Sequence, residues 1–185
     1  MKTVKTIIAT LILSLASLSA IAQNVTPSHE ADGTSLYGSR QFILKFNPLT
    51  QETIVCRVVY RDGVDGDSYN LFIATNLPYE VRQDNKILFR LEDGEVIECR
   101  ALRAYGEDDR YSAVNLQTVK YLNSYFNVSL EDMQKLISGK VIKMRVEFSS
   151  AYSDFEGNEC KTIMKRIISA QKNVADYIAK NTTEF

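Results

Sequence analysis

Phe42, Leu44 and Phe46 alternate along "RQFILKFN", and the same period of two returns in "TIVCRVVYR". There Ile54, Cys56, Val58 and Tyr60 fall on one side of an extended chain, and Val55, Arg57, Val59 and Arg61 on the other. A strand with one covered face requires this alternation. "SYNLFIAT", "KILFRL", "EVIECRALRA", residues 119–128 and "KVIKMRVEF" read as further strands, seven in all. In the last of them Ile142, Met144, Val146 and Phe148 are expected on the core side.

The period breaks in two places. Ser129 is placed to cap a short helix over 130–138, with Asp132 at its third position and Met133, Leu136 and Ile137 at helical spacing. Gly139 is expected to close that helix in a left-handed conformation. A second helix is expected over 158–180. Cys160, Ile163, Ile167, Ala170, Val174 and Ile178 form its apolar stripe, opposed by Lys161, Lys165 and Lys172. A sheet with one apolar face needs a cover. The expected fold class is therefore α+β: a single, mostly antiparallel sheet of six or seven strands. The long C-terminal helix packs on one face, and the short helix connects two late strands.

The turn in "RLEDGEVIEC" admits two registers. A two-residue loop at Asp93-Gly94 pairs Phe89 with Glu98 and Ile87 with Arg100, mixing charge into the apolar face. A three-residue loop, Glu92-Asp93-Gly94, sets Gly94 where a left-handed residue completes a type I turn and bulge. It pairs Phe89 with Ile97 and Ile87 with Cys99, and gathers Lys86, Arg90, Glu98 and Arg100 on the other face. A slip of one residue exchanges the two faces of a strand. The three-residue loop is therefore expected, with Cys99 in the core.

Lys2 and Lys5, the apolar run from Ile7 to Leu18, and the small residues Ala20 and Ala22 before Gln23 have the order of a secretory signal peptide. The run is shorter than the roughly 20 residues of a spanning helix. The organisation expected is a signal peptide over 1–22, a polar, flexible leader over 23–35 and one α+β domain over 36–185. The protein is expected to be exported, to the periplasm or the exterior. Loss of Lys2 and Lys5 takes the formal charge from −1 to −3. A mildly acidic chain lacks the basic face that nucleic acid requires.

Three cysteines remain, Cys56, Cys99 and Cys160. That is too few for a disulfide scaffold, and the number is odd. Each falls at a core-facing position, where cysteine serves as a small hydrophobe. An oxidising compartment would favour one bridge, between Cys56 and Cys99, should their strands be neighbours.

Catalytic and cofactor motifs are not read in this chain. Its single histidine, His29, lies in the leader, and no G-x-S-x-G elbow is present for a serine nucleophile. "DGVDGD" (Asp62, Asp65, Asp67) has the wrong spacing for a calcium loop, and "GEDDR" at 106–110 reads as an acidic surface loop. No zinc spacing, phosphate loop or dinucleotide fingerprint occurs. No catalytic, cofactor-binding or metal residues are assigned. There is no Trp, so a sugar platform would have to use Tyr or Phe.

The signal ending "AIAQ", the hairpin "LFRLEDGEVIEC" and "YFNVSLEDMQKLISGKVIKMRVEF" together resemble small exported bacterial proteins of unknown function that end strand, short helix, strand, long helix. The resemblance spans about the C-terminal 100 residues and carries over no functional residue. The function expected is a non-catalytic binding module for a protein partner or a surface polymer, of which an inhibitor or immunity-type protein is one form. Two rivals make distinct demands. A carboxylate-dependent hydrolase acting on glycan needs two facing acids, one with a raised pKa. A small-ligand carrier needs an apolar cavity of about 300 Å³ or more between helix and sheet.

Overall fold

The chain builds two antiparallel sheets and two helices, where one sheet was expected. The computed structural model describes residues 25–63, 66–77, 79–102, 106–112 and 117–181. In order, the elements are β1 (Val25–His29), β2 (Ser35–Ser39), β3 (Phe42–Phe46), β4 (Thr53–Asp62), β5 (Ser68–Thr75), β6 (Lys86–Leu91), β7 (Val96–Arg100), β8 (Gly106–Ser112) and β9 (Gln117–Val128). Then come α1 (Leu130–Ser138), β10 (Val141–Glu147), β11 (Tyr152–Glu156) and α2 (Gly157–Asn181).

Among the described residues the larger sheet has seven strands, in the order β1-β2-β4-β5-β9-β8. Its seventh, β3, continues the line of β2 along β4. Between β2 and β3 the ladder is filled by a side chain: the Val58 N–H donates to Ser39 Oγ at 3.0 Å. The smaller sheet has four strands, β11-β10-β6-β7. The two sheets meet where Ala101 bridges Phe126 and the Leu102 N–H donates to the Tyr125 carbonyl at 2.8 Å.

Inner faces of both sheets and both helices share one apolar cluster. Ile54, Cys56, Val58, Leu71, Ile73 and Phe126 enter it from the larger sheet. Ile87, Phe89, Ile97, Cys99, Met144, Val146 and Phe155 enter it from the smaller. Burying one such aliphatic or aromatic side chain stabilises the fold by about 1.5–3 kcal/mol. Helix α2 lies against β10 and β11 of one sheet and β4, β2 and β1 of the other. The expected stripe of Cys160, Ile163, Ile167, Ala170 and Val174 is buried, and Ile178, near the end, is half-buried.

The hairpin takes the three-residue loop. Phe89 pairs with Ile97 and Ile87 with Cys99, and Gly94 has φ +94°. The Ser129 cap also forms, its Oγ accepting from the Asp132 N–H at 3.0 Å.

Other expectations are corrected. Four strands went unseen: β1, β2, β8 and β11. Val25–His29, assigned to a loose leader, pairs along its whole length with β2, and Val25 is buried. Pro27 in its middle suits an edge strand, where one row of N–H groups has no ladder to join. The acidic run 106–110, read as a loop, lies in β8 and pairs with β9. Gly139 is extended, at φ −83°, rather than left-handed. It is required by space: a Cβ there would sit 2.7 Å from the Lys135 carbonyl oxygen. Ile142 is exposed while Val141 is buried, because a bulge between Val141 and Lys143 shifts the register of β10 against β6.

Candidate functional site

The outward face of the larger sheet carries the second half of the β4 alternation. Val55, Arg57, Val59 and Arg61 point away from the main core, and part of this face is covered. Val59, Phe72 and Ala74 form a second buried cluster, with Leu36, Val55, Tyr121 and Tyr125 packed on it. The ladder explains the meeting: Arg57 lies opposite Phe72 on β5, and Phe72 lies opposite Tyr125 on β9.

Arg57 is held by aromatic groups. Its guanidinium carbon stands 4.5 Å from the centre of the Phe72 ring, and Nη2 donates to the Tyr125 hydroxyl at 3.0 Å. The Phe72 and Tyr125 rings meet edge to face, 5.0 Å apart. A cation over a ring face is stabilised by about 0.5–2 kcal/mol, more as water is excluded. Arg57 Nε is buried with no hydrogen-bond partner. Among the described residues no carboxylate pairs with this guanidinium.

Beside it, Asn70 is 2% exposed and its Oδ1 is buried with no donor. A buried acceptor left unpaired costs about 1–3 kcal/mol. Asn70 lines a pocket of about 230 Å³ with Glu30, Leu36, Arg61, Leu102 and Tyr125. Arg61 lies 3.9 Å from Asp32, whose carboxyl is held below the usual range chiefly by the Thr34 N–H, donating at 2.9 Å. The pocket wall thus combines a guanidinium, a carboxylate, an amide, a phenol and two leucines.

A second hollow, an open groove of about 390 Å³, runs between residues 39–42 and α2. Arg166 spans it, donating from Nη1 to the Ile43 carbonyl at 2.7 Å. Its polar side chains are exposed or already bonded, unlike the buried atoms of the first pocket.

Several carboxyl groups elsewhere are paired with cations. Arg145 and Lys143 hold the Asp154 carboxyl down to about 2, and Lys86 holds Glu98 below its ordinary value. Among the described residues every carboxyl with a displaced pKa is displaced downward. No three His, Cys, Asp or Glu side chains converge on a common point among them. Asp67 of the "DGVDGD" run accepts from the Tyr60 hydroxyl at 2.6 Å, while Asp65 lies outside the described residues. The acidic side chains of 106–110 also lie outside the description.

Cys56, Cys99 and Cys160 are free and buried. Cys56 lies on β4 of the larger sheet and Cys99 on β7 of the smaller, so their strands are not neighbours. Burial pushes the Cys99 thiol up to about 12, with Asp132 adding to it, and drives Cys56 higher still.

No protein-family model, curated protein or solved structure matches the chain. No helix among the described residues is long and apolar enough to cross a membrane.

Proposed function

We propose that this chain is an exported, non-catalytic binding module that meets a polymer of the cell surface with the outward face of its larger sheet. The Asn70 side-chain oxygen, buried in the pocket wall without a donor, carries the reading. It sits beside a half-buried guanidinium, that of Arg57, which is stacked on Phe72, tied to Tyr125 and, among the described residues, without a carboxylate partner. Buried polar groups of folded proteins are nearly all paired, and each exception asks for a reason. A ligand that reaches the Asn70 oxygen from the pocket is such a reason.

The pocket favours a polymer over a protein partner, because it is a small hollow of mixed polar and apolar lining rather than a broad apolar patch. The hydrolase rival needs a carboxyl raised by burial, whereas the displaced carboxyls here are lowered. The carrier rival asks for an apolar cavity of about 300 Å³ or more; the hollow between sheet and helix reaches that size, but it is an open groove whose lining includes Arg40, Lys165 and Arg166.

Fractionation of cells making the chain tests the reading. The exported form begins at Gln23 by N-terminal mass analysis and sediments with insoluble envelope material. An Arg61→Glu, Tyr125→Ala double substitution releases it into the wash while leaving the melting curve cooperative. Met1 on the exported protein, or retention equal to that of the unsubstituted chain, sinks the proposal.

A further inference from the structure

We infer that the pocket between Asn70, Arg61 and Glu30 binds one neutral sugar unit of the polymer through neighbouring hydroxyl groups. The inference rests on the proposed binding face and adds the chemistry of its ligand.

Size comes first. At about 230 Å³ the hollow is smaller than the roughly 300–1,000 Å³ of pockets that take drug-sized ligands. It holds a single ring or a short group.

Charge comes second. Arg61 can only donate hydrogen bonds, and a carboxylate such as that of Glu30 can only accept them. An anionic ligand would pair with Arg61 but would meet Glu30 and leave the Asn70 oxygen without a donor. A cationic ligand would suit Glu30 and Asn70 but would meet Arg61. A ligand of a single charge sign is disfavoured by the same wall.

Hydrogen-bond capacity decides among neutral groups. A hydroxyl donates once and accepts twice. Two hydroxyls on adjacent carbons can donate to Asn70 Oδ1 and Glu30 while accepting from Arg61. A peptide unit brings one donor and one acceptor, which leaves one member of the trio unpaired. Leu36, Leu102 and the Tyr125 ring offer the apolar contact that the C–H face of a sugar takes. Tyr125 therefore fills the role that the absence of Trp leaves to tyrosine and phenylalanine.

Asn70 marks the pocket as a built site rather than a surface dimple. It is buried, lines the hollow and has an oxygen that nothing in the described chain satisfies. A leucine of similar size would remove that cost.

Titration of the ¹⁵N-labelled protein followed by NMR provides the test. The probes are glucose, galactose, mannose, N-acetylglucosamine and their disaccharides, with N-acetyl-alanine amide and N-acetyl-tyrosine amide as a peptide arm. At least one saccharide is expected to shift the amides of Leu36, Arg61, Asn70, Leu102 and Tyr125 saturably. Arg61→Ala and Asn70→Leu are expected to weaken Kd at least tenfold, and Lys172→Ala on the far face of α2 to leave it unchanged. Should Asn70→Leu fail to fold, Arg61→Ala and Tyr125→Ala carry the comparison, each weakening Kd. Shifts at these residues from the peptide arm alone overturn the sugar assignment and keep the binding face. Shifts confined to the groove beside α2 overturn both. Silence from every saccharide, or a Kd unmoved by Arg61→Ala, overturns the sugar assignment.

Discussion

Arg145 holds Asp154 with two parallel bonds across the β10–β11 ladder, Nε to Oδ1 at 2.6 Å and Nη2 to Oδ2 at 2.8 Å. Lys143 adds a third contact at 2.9 Å, and the Arg145 guanidinium lies 4.0 Å from the centre of the Tyr152 ring. The carboxyl of Asp154 is lowered from 3.8 to about 2, first by Arg145. A carboxyl lowered on folding contributes its stability above the unfolded value and loses it as pH falls through the folded one. Asp154→Asn should therefore cost about 1 kcal/mol at neutral pH, the upper end for a pair that water still reaches. The two proteins should converge in melting temperature between about pH 4 and pH 2. A gap that stays constant over that range would show that the pair does not titrate with folding.

Ile167 is fully buried at the middle of α2, where the helix passes between the sheets. Ile167→Ala removes three carbons from a closed site and should destabilise by about 2–5 kcal/mol. Denaturant unfolding reads this directly. Ile178→Ala, on the half-buried last turn, should cost less, and equal costs would place the centre of packing elsewhere.

Thiol chemistry should follow burial. Cys56 and Cys99 are almost without solvent access, and burial raises both thiols. A raised thiol carries little thiolate at pH 8 and is a poor nucleophile. An aromatic disulfide reagent should label none of the three in the native protein and all three in denaturant without reductant. One label in denaturant would reveal a bridge, and fast native labelling of Cys99 would contradict its place in the core.

Gly139→Ala and Gly94→Ala should fail for different reasons. At Gly139 a Cβ meets the Lys135 carbonyl oxygen at 2.7 Å and Leu91 Cδ2 at 3.3 Å, so the helix end and the hairpin must part. Overpacking of this kind costs about 1–3 kcal/mol. At Gly94 the space is open, and only the positive φ resists, at about 1–2 kcal/mol. Asn at position 94 should recover part of the loss, whereas Asn at position 139 should not.

The hairpin and the last helix were legible because each is decided by its own residues. Ile87, Phe89, Ile97 and Cys99 can share a face in only one of the two loop registers, and the α2 stripe repeats through several turns. The division into two sheets was not legible, since it turns on a single bridge between Ala101 and Phe126, 25 residues apart. Strand β11 escaped because its inward positions are Ser153 and Phe155, and a serine hides the alternation. The site was half legible. Arg57 and Arg61 were placed on the outward face, and Val55 and Val59 on that same face hinted that it is not open to water. What covers Arg57 arrives from Phe72 and from Tyr125, 68 residues along, which no local pattern announces.

Helix α2 packs against strands of both sheets, and it is made after all of them. While the ribosome is still adding residues 160–174, Met144 and Val146 of β10 and Phe155 of β11 have neighbours within their own sheet and an incomplete lid above it. The nascent chain therefore presents sticky, half-finished surface until its last helix emerges, and holding factors have that whole interval in which to keep it from collapse.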